Sequence, residues 1–242
     1  MNSKVQITLI YSAVALISAG VIGMAMFLRK GMPVQDQGPL VEMGSSTVQE
    51  WFPIQHDLEG VNQDGAKVKL SELKGKVWLV AEFYSVCPFC AERNGAELKA
   101  IYDTYRSNPD FQVVCISVDP AEDKVERLKQ YATALGAETK NWWFVNGGDE
   151  KATHAYLQDE LKFFRIGERK DPADIAAKGR FSHDLSFMLV DRDWQVVGKW
   201  PLADARSEEI TKLDPTRYDR IKAELYGRIR TELDKKQATA ER

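Results

Sequence analysis

The chain has 242 residues, enough for one substantial domain plus additional segments. Its composition, 44% hydrophobic and 29% charged, is that of a globular protein, and a formal net charge of −3 gives no reason to expect a nucleic-acid partner. Three cysteines are too few for a densely stapled disulfide scaffold.

The first predicted element is Ile7–Leu28. It carries no charge over about 22 residues, long enough to cross a hydrocarbon core of about 30 Å as a helix. The rival reading is a cleaved signal peptide, whose apolar region would be about 7–15 residues and would end at a small-x-small site. Gly23-Met24-Ala25-Met26 is a poor site of that kind. Residues 1–30 are therefore expected to be an uncleaved membrane anchor. Lys4 and the terminal amine before the span balance Arg29 and Lys30 after it, so charge says little about orientation. Residues 31–50 are polar, with Pro33, Gly38, Gly44, Ser45 and Ser46, and read as a tether. A folded domain is expected over 51–237, with a frayed tail at 238–242.

Phe52–Asp57 and Lys67–Leu70 flank Asn62-Gln63-Asp64-Gly65, whose Asp-Gly is a strong turn signal, so a hairpin is expected at the domain entrance. Ser71–Gly75 reads as a short helical turn stopped by glycine. Val77–Tyr84 is a nearly continuous apolar run broken by Glu82 and fits a strand covered on both faces. The helix after it carries Leu98, Ile101, Tyr102 and Tyr105 at helical spacing and should end near Ser107. Phe111–Val118 is the next buried strand, and Cys115 within it reads as a small core hydrophobe. Asp119 is the expected N-cap and Pro120 the first-turn proline of a helix over Ala121–Leu135, closed by Gly136. Trp142–Val145 is a short strand whose aromatic residues read as core, and Asp149–Asp159 is helical. Arg165–Arg180 is charged and irregular and is expected to be an exposed loop. Ser186–Val190 and Gln195–Trp200 form a hairpin through Asp191–Trp194. From Ser207 to Gln237 the pattern is helical and heavily charged, with Leu213, Tyr218, Ile221, Leu225 and Ile229 available for docking. Strand–helix alternation closed by a hairpin predicts an α/β, thioredoxin-like fold with a mixed central sheet flanked by helices.

The chemistry gathers at Cys87-Pro88-Phe89-Cys90, between the central strand and its helix. A helix N-terminus stabilises a thiolate, which is both a nucleophile and a soft-metal ligand. A purely structural disulfide would close only a tiny loop and gain little. Redox or metal chemistry is therefore expected, with Cys87 attacking and Cys90 resolving in redox use. A peroxidase is the weaker reading, since Tyr84, Ser85 and Val86 precede Cys87 in place of a Thr-x-x-Cys environment. Glu82 lies five residues before Cys87, one residue off the spacing of the buried proton acceptor in thioredoxins, so both orientations of its side chain stay open. His56 and His154 read as ordinary surface or core histidines.

Several segments together resemble the Sco/SenC family of membrane-anchored, thioredoxin-like copper proteins. They are Leu70–Trp78, Cys87-Pro88, Ile116-Ser117-Val118-Asp119-Pro120, Trp143-Phe144-Val145-Asn146-Gly147, and Phe181-Ser182-His183-Asp184 followed by Phe187-Met188-Leu189-Val190-Asp191. The family usually has three residues between its cysteines; here there are two, the spacing also used by dithiol oxidoreductases. The resemblance implies one copper ion held by Cys87, Cys90 and His183. No proline lies between Phe181 and Val190, where common thioredoxins carry one. It further implies a cytochrome c oxidase subunit, or another cysteine-containing extracytoplasmic protein, as partner. The domain would then face the extracytoplasmic or periplasmic side of an inner (cytoplasmic) membrane. The alternative is a general extracytoplasmic thiol-disulfide oxidoreductase without stable metal binding.

Overall fold

A computed structural model describes residues 52–86 and 94–235, all of which fall in one compact unit. The predicted anchor, tether and tail lie outside the described residues, as do Cys87 and Cys90. Among the described residues no helix is long and apolar enough to cross a membrane.

Ten strands are described: β1 (Phe52–Pro53), β2 (Glu59–Val61), β3 (Lys67–Lys69), β4 (Val77–Phe83), β5 (Phe111–Ser117), β6 (Trp142–Val145), β7 (Gly167–Glu168), β8 (Phe181–Ser182), β9 (Phe187–Val190) and β10 (Gln195–Trp200). The helices are α1 (Ala96–Tyr105), α2 (Val125–Leu135), α3 (Glu150–Ala155), α4 (Pro172–Lys178), α5 (Leu202–Ala205), α6 (Glu208–Leu213) and α7 (Arg217–Asp234). Six strands form one sheet in the order β1-β10-β9-β4-β5-β6. Strands β4, β5 and β6 are parallel, whereas β9 runs antiparallel to β4 and β10 to β9. This is the mixed thioredoxin-like sheet that strand–helix alternation predicts.

Strand β4 sits at the centre, and its side chains alternate between two cores. Trp78, Val80 and Tyr84 join one with Leu70, Leu73, Leu157, Leu161 and Phe163. Val77, Leu79, Ala81 and Phe83 join the other with residues of α1, α2 and α7, including Ile101, Leu128, Ile221, Leu225 and Ile229. Trp142 and Phe144 are fully buried in that second core, where the Trp142 indole N–H reaches the Cys115 Sγ at 3.4 Å.

Four expectations need correction. The entrance hairpin is β2 with β3; Phe52–Pro53 pairs instead with Val196 and Gln195 of β10. Helix α2 starts at Val125, not Ala121, and Asp119 does not cap it, because residues 119–123 form a turn in which the Asp119 carbonyl accepts the N–H groups of Glu122 and Asp123. The Arg165–Arg180 stretch is not a featureless loop: β7 pairs with β8, and α4 begins on an Asp171 N-cap with Pro172 in its first turn. In the C-terminal region Ile221, Leu225 and Ile229 dock as expected, while Leu213 is 77% exposed and docks nothing.

Candidate functional site

The carboxyl end of β4 leads into the cysteines, and the loop between β8 and β9 carries His183. Both ends of the cysteine segment are tied to neighbouring structure. At Ser85 the backbone N–H donates to Asp123 Oδ1 at 3.1 Å and the hydroxyl to the same oxygen at 2.5 Å. The Ser117 hydroxyl at the end of β5 donates to Asp123 Oδ2 at 2.6 Å. One buried carboxylate thus joins the ends of β4 and β5 just before Cys87. Burial raises the Asp123 pKa, against the pull of those serine hydrogen bonds. Beyond the cysteines, the Asn94 side-chain amide donates to the Leu185 carbonyl at 2.9 Å, two residues past His183.

Glu82 faces the His183 loop. Its side chain is fully buried; Oε2 accepts the Asp184 N–H at 2.7 Å and lies 3.6 Å from His183 Nδ1. That second distance is too long for a hydrogen bond but is within ion-pair reach of a protonated imidazole. Oε1 is buried with no hydrogen-bond partner among the described residues. Burial raises the Glu82 pKa, and the imidazole and the Asp184 N–H only partly offset it.

The His183 side chain is 3% exposed, with Nδ1 at 2.9 Å from the Asp184 carbonyl oxygen. Its ring stands edge-on to Tyr84, with centroids 5.4 Å apart. Tyr84 in turn places its hydroxyl 2.9 Å from the carbonyl oxygens of Lys178 and Phe181. The close approach depends on Gly179, where a Cβ would lie 2.1 Å from the Tyr84 hydroxyl and where φ is +79°. Asp184 pairs with Lys199 and accepts the N–H of Phe164. Its pKa falls below the ordinary carboxylate value because Lys199 and the Phe164 N–H outweigh the upward push of burial.

The other histidines are elsewhere. His154 places Nε2 2.6 Å from the Val118 carbonyl oxygen and packs on Phe181, and His56 meets Glu160 at the surface. Cys115 is fully buried, and burial pushes its thiol up to about 12. Among the described residues no group of three or more His, Cys, Asp or Glu side chains could hold a metal; of the three predicted ligands only His183 is described.

Sequence reasoning singled out His183 and raised Glu82, but missed Asn94, Asp123 and Lys199 and gave Asp184 no role. Asn94 had a legible signal: it lies four residues after Cys90 in the sequence, close to the predicted site. Lys199 also had one, as a lone cation among the apolar residues of β10.

A family model described as SCO1/SenC matches residues 47–216. The SCO1 protein homolog of Bacillus subtilis (strain 168) is 28% identical over 149 residues, which is 60% of this chain and 74% of that protein. Among solved structures, BsSco, described as a member of the Sco family of cytochrome c oxidase assembly proteins with a disulfide switch, superposes with a TM-score of 0.59 at 21% identity, over 80% of this chain and 99% of that one. Bradyrhizobium japonicum ScoI with copper bound has a TM-score of 0.51 at 19% identity, over 72% of this chain and 98% of that one. At such identities the structures establish the shared fold. The matched segment spans well over half of the sequence and includes every side chain of the site described above; the chain belongs to the SCO1/SenC family.

Proposed function

We propose that this protein binds one copper ion through Cys87, Cys90 and His183 and delivers it, with or without thiol-disulfide exchange, during assembly of a copper centre in a respiratory cytochrome c oxidase. Family membership supports the class of function, and the copper-bound ScoI and the oxidase-assembly role ascribed to BsSco support the cargo and the partner. The observation that carries the reading to these residues is His183, buried in a loop bonded to β4 on one side and to Asn94 on the other. The donor set fits copper: two thiolates and an imidazole suit Cu(I). Metal-bound histidines commonly engage an oxygen through their second nitrogen. Here the Asp184 carbonyl and Glu82 face Nδ1, so in this reading Nε2 is the nitrogen that would meet the metal.

In this reading residues 1–30 anchor the chain in the inner membrane, 31–50 tether it, and the domain over 51–237 works on the extracytoplasmic face. Titrating the full chain in detergent with Cu(I) tests the site. Stoichiometric binding is expected, lost in Cys87→Ala and strongly weakened in His183→Ala; affinity indifferent to His183 would defeat the three-ligand site.

The two-residue cysteine spacing favours a second reading, in which the pair acts as a dithiol reductant. The Cys87 thiolate would attack a partner's disulfide, and Cys90 would then displace the partner, leaving a Cys87–Cys90 disulfide and two thiols on the partner. Turnover of a protein disulfide at the expense of a dithiol donor would support it, and complete absence of turnover would count against it.

A further inference from the structure

Between β8, which ends at Ser182, and β9, which begins at Phe187, the chain is not in a strand. Its geometry depends on a few side chains, and Asp184 makes most of the bonds. Its Oδ1 accepts the Ser186 N–H at 2.9 Å, and its Oδ2 accepts the Phe164 N–H at 3.0 Å and pairs with the Lys199 ammonium. One carboxylate therefore joins β10, the segment before β7 and the histidine loop. The Asp184 and Lys199 side chains are 1% and 9% exposed. Phe164 covers the pair, its ring centroid 3.8 Å from the ammonium, although that phenylalanine is itself 66% exposed.

A buried ion pair is a poor source of stability, because desolvation offsets much of the attraction. It can be a good source of fixed geometry when the carboxylate's remaining acceptor capacity is met by oriented backbone groups, as it is here by the N–H groups of Phe164 and Ser186. Without the ammonium, the carboxylate would be a buried charge lacking its cation. The side chain would turn outward toward water, and the Phe164 and Ser186 bonds would be lost with it.

We propose that the Asp184–Lys199 pair positions His183 for copper, with Lys199 acting through Asp184. The proposal rests on the reading of His183 as a ligand. It identifies Lys199 as a determinant of metal affinity on a strand that supplies no ligand.

The test uses the full chain in detergent. Cu(I) affinity is measured by competition with a chromophoric chelator, and the midpoint potential of the Cys87–Cys90 pair is measured separately in a thiol–disulfide buffer. Lys199→Met is expected to weaken Cu(I) binding about 10–100-fold, the range seen when the outer support of a metal ligand is removed. Lys199→Arg restores most of the affinity, and the dithiol potential is unchanged in both. The double variant Asp184→Ser/Lys199→Met removes both charges, so it leaves no unpaired buried ion and folds even if Lys199→Met alone does not; it is expected to show the same loss. In a His183→Ala background Lys199→Met should have no further effect, because the cycle isolates what passes through the imidazole. Parental affinity in the double variant, alongside weakened binding in His183→Ala, would overturn the proposal and leave the ligand reading intact. An equal loss with and without His183 would also overturn it. Unchanged affinity in His183→Ala would defeat the ligand reading first, and this proposal with it.

Discussion

Three buried acids around the mouth of the site have different surroundings. Among the described residues, Asp184 has a cation beside it, Glu82 has one oxygen bonded and one without a hydrogen-bond partner, and Asp123 accepts hydrogen bonds from Ser85 and Ser117. Asp123 gives a pH prediction. Burial raises its native pKa above the ordinary 3.8, so the folded chain holds this proton more tightly than the unfolded one. The stability it adds is complete below the unfolded value and is lost as pH rises through the native value. Urea melts at several pH values from 3 upward should show the parent losing stability across that window relative to Asp123→Asn; a difference independent of pH would contradict the assignment. Cys115 gives a second prediction. With its thiol pushed up to about 12 and fully buried, the Cys87→Ser/Cys90→Ser variant should not react with an aromatic disulfide reagent at pH 8 until denaturant is added, when one thiol per chain appears. Reaction of the native variant would show that this core opens. His183 and Cys115 were legible in the sequence, one by its place before a strand and the other by its apolar neighbours. Asp123 was not, because the adjoining Asp119-Pro120 offers a stronger capping pattern and only the fold reveals which aspartate turns back to Ser85.

At the scale of elements, the crossover from Leu161 to Ser182 does more than connect. It presents Phe164 to Asp184, and it supplies the carbonyls that accept from the Tyr84 hydroxyl, whose ring stands edge-on to His183. Its charge and its Pro172 and Gly179 suggested an exposed loop; the β7–β8 pairing and the short helix α4 depend on long-range contacts that local composition does not encode. Gly179→Ala meets both a positive φ and the Tyr84 hydroxyl. It should cost about 1–3 kcal/mol, the usual price of a residue forced into a sparsely populated conformation, read from the denaturation midpoint; an unchanged midpoint would show that Tyr84 is free to move. On α7 the contrast lies between neighbours in the sequence pattern. Leu225→Ala empties a fully buried position and should cost about 2–5 kcal/mol. Leu213→Ala, on the preceding helix and exposed, should stay within about 0.5 kcal/mol. Helical spacing marked both leucines as docking residues; only the path of the chain after Pro215 separates them.

At the scale of the molecule, most of the architecture was legible because patterning and topology agree. Doubly buried runs at Val77–Phe83 and Phe111–Ser117 call for parallel central strands, and the hairpin Phe187–Trp200 closes the sheet by setting β9 antiparallel to β4. The pairing of Phe52–Pro53 with β10 was hidden, since it joins residues more than 140 positions apart through two backbone pairs that leave no periodic trace. The same sheet brings the end of β4, the turn at Asp123, Asn94 and the His183 loop together; under the proposed function the chemistry of the two-cysteine motif would depend on a histidine about a hundred residues away. The most direct test of that dependence is X-ray absorption at the copper edge of the Cu(I)-loaded full chain. Two sulfur scatterers and one imidazole nitrogen are predicted, with the imidazole contribution absent in His183→Ala. A spectrum fitted by sulfur alone and unchanged by that substitution would contradict the account.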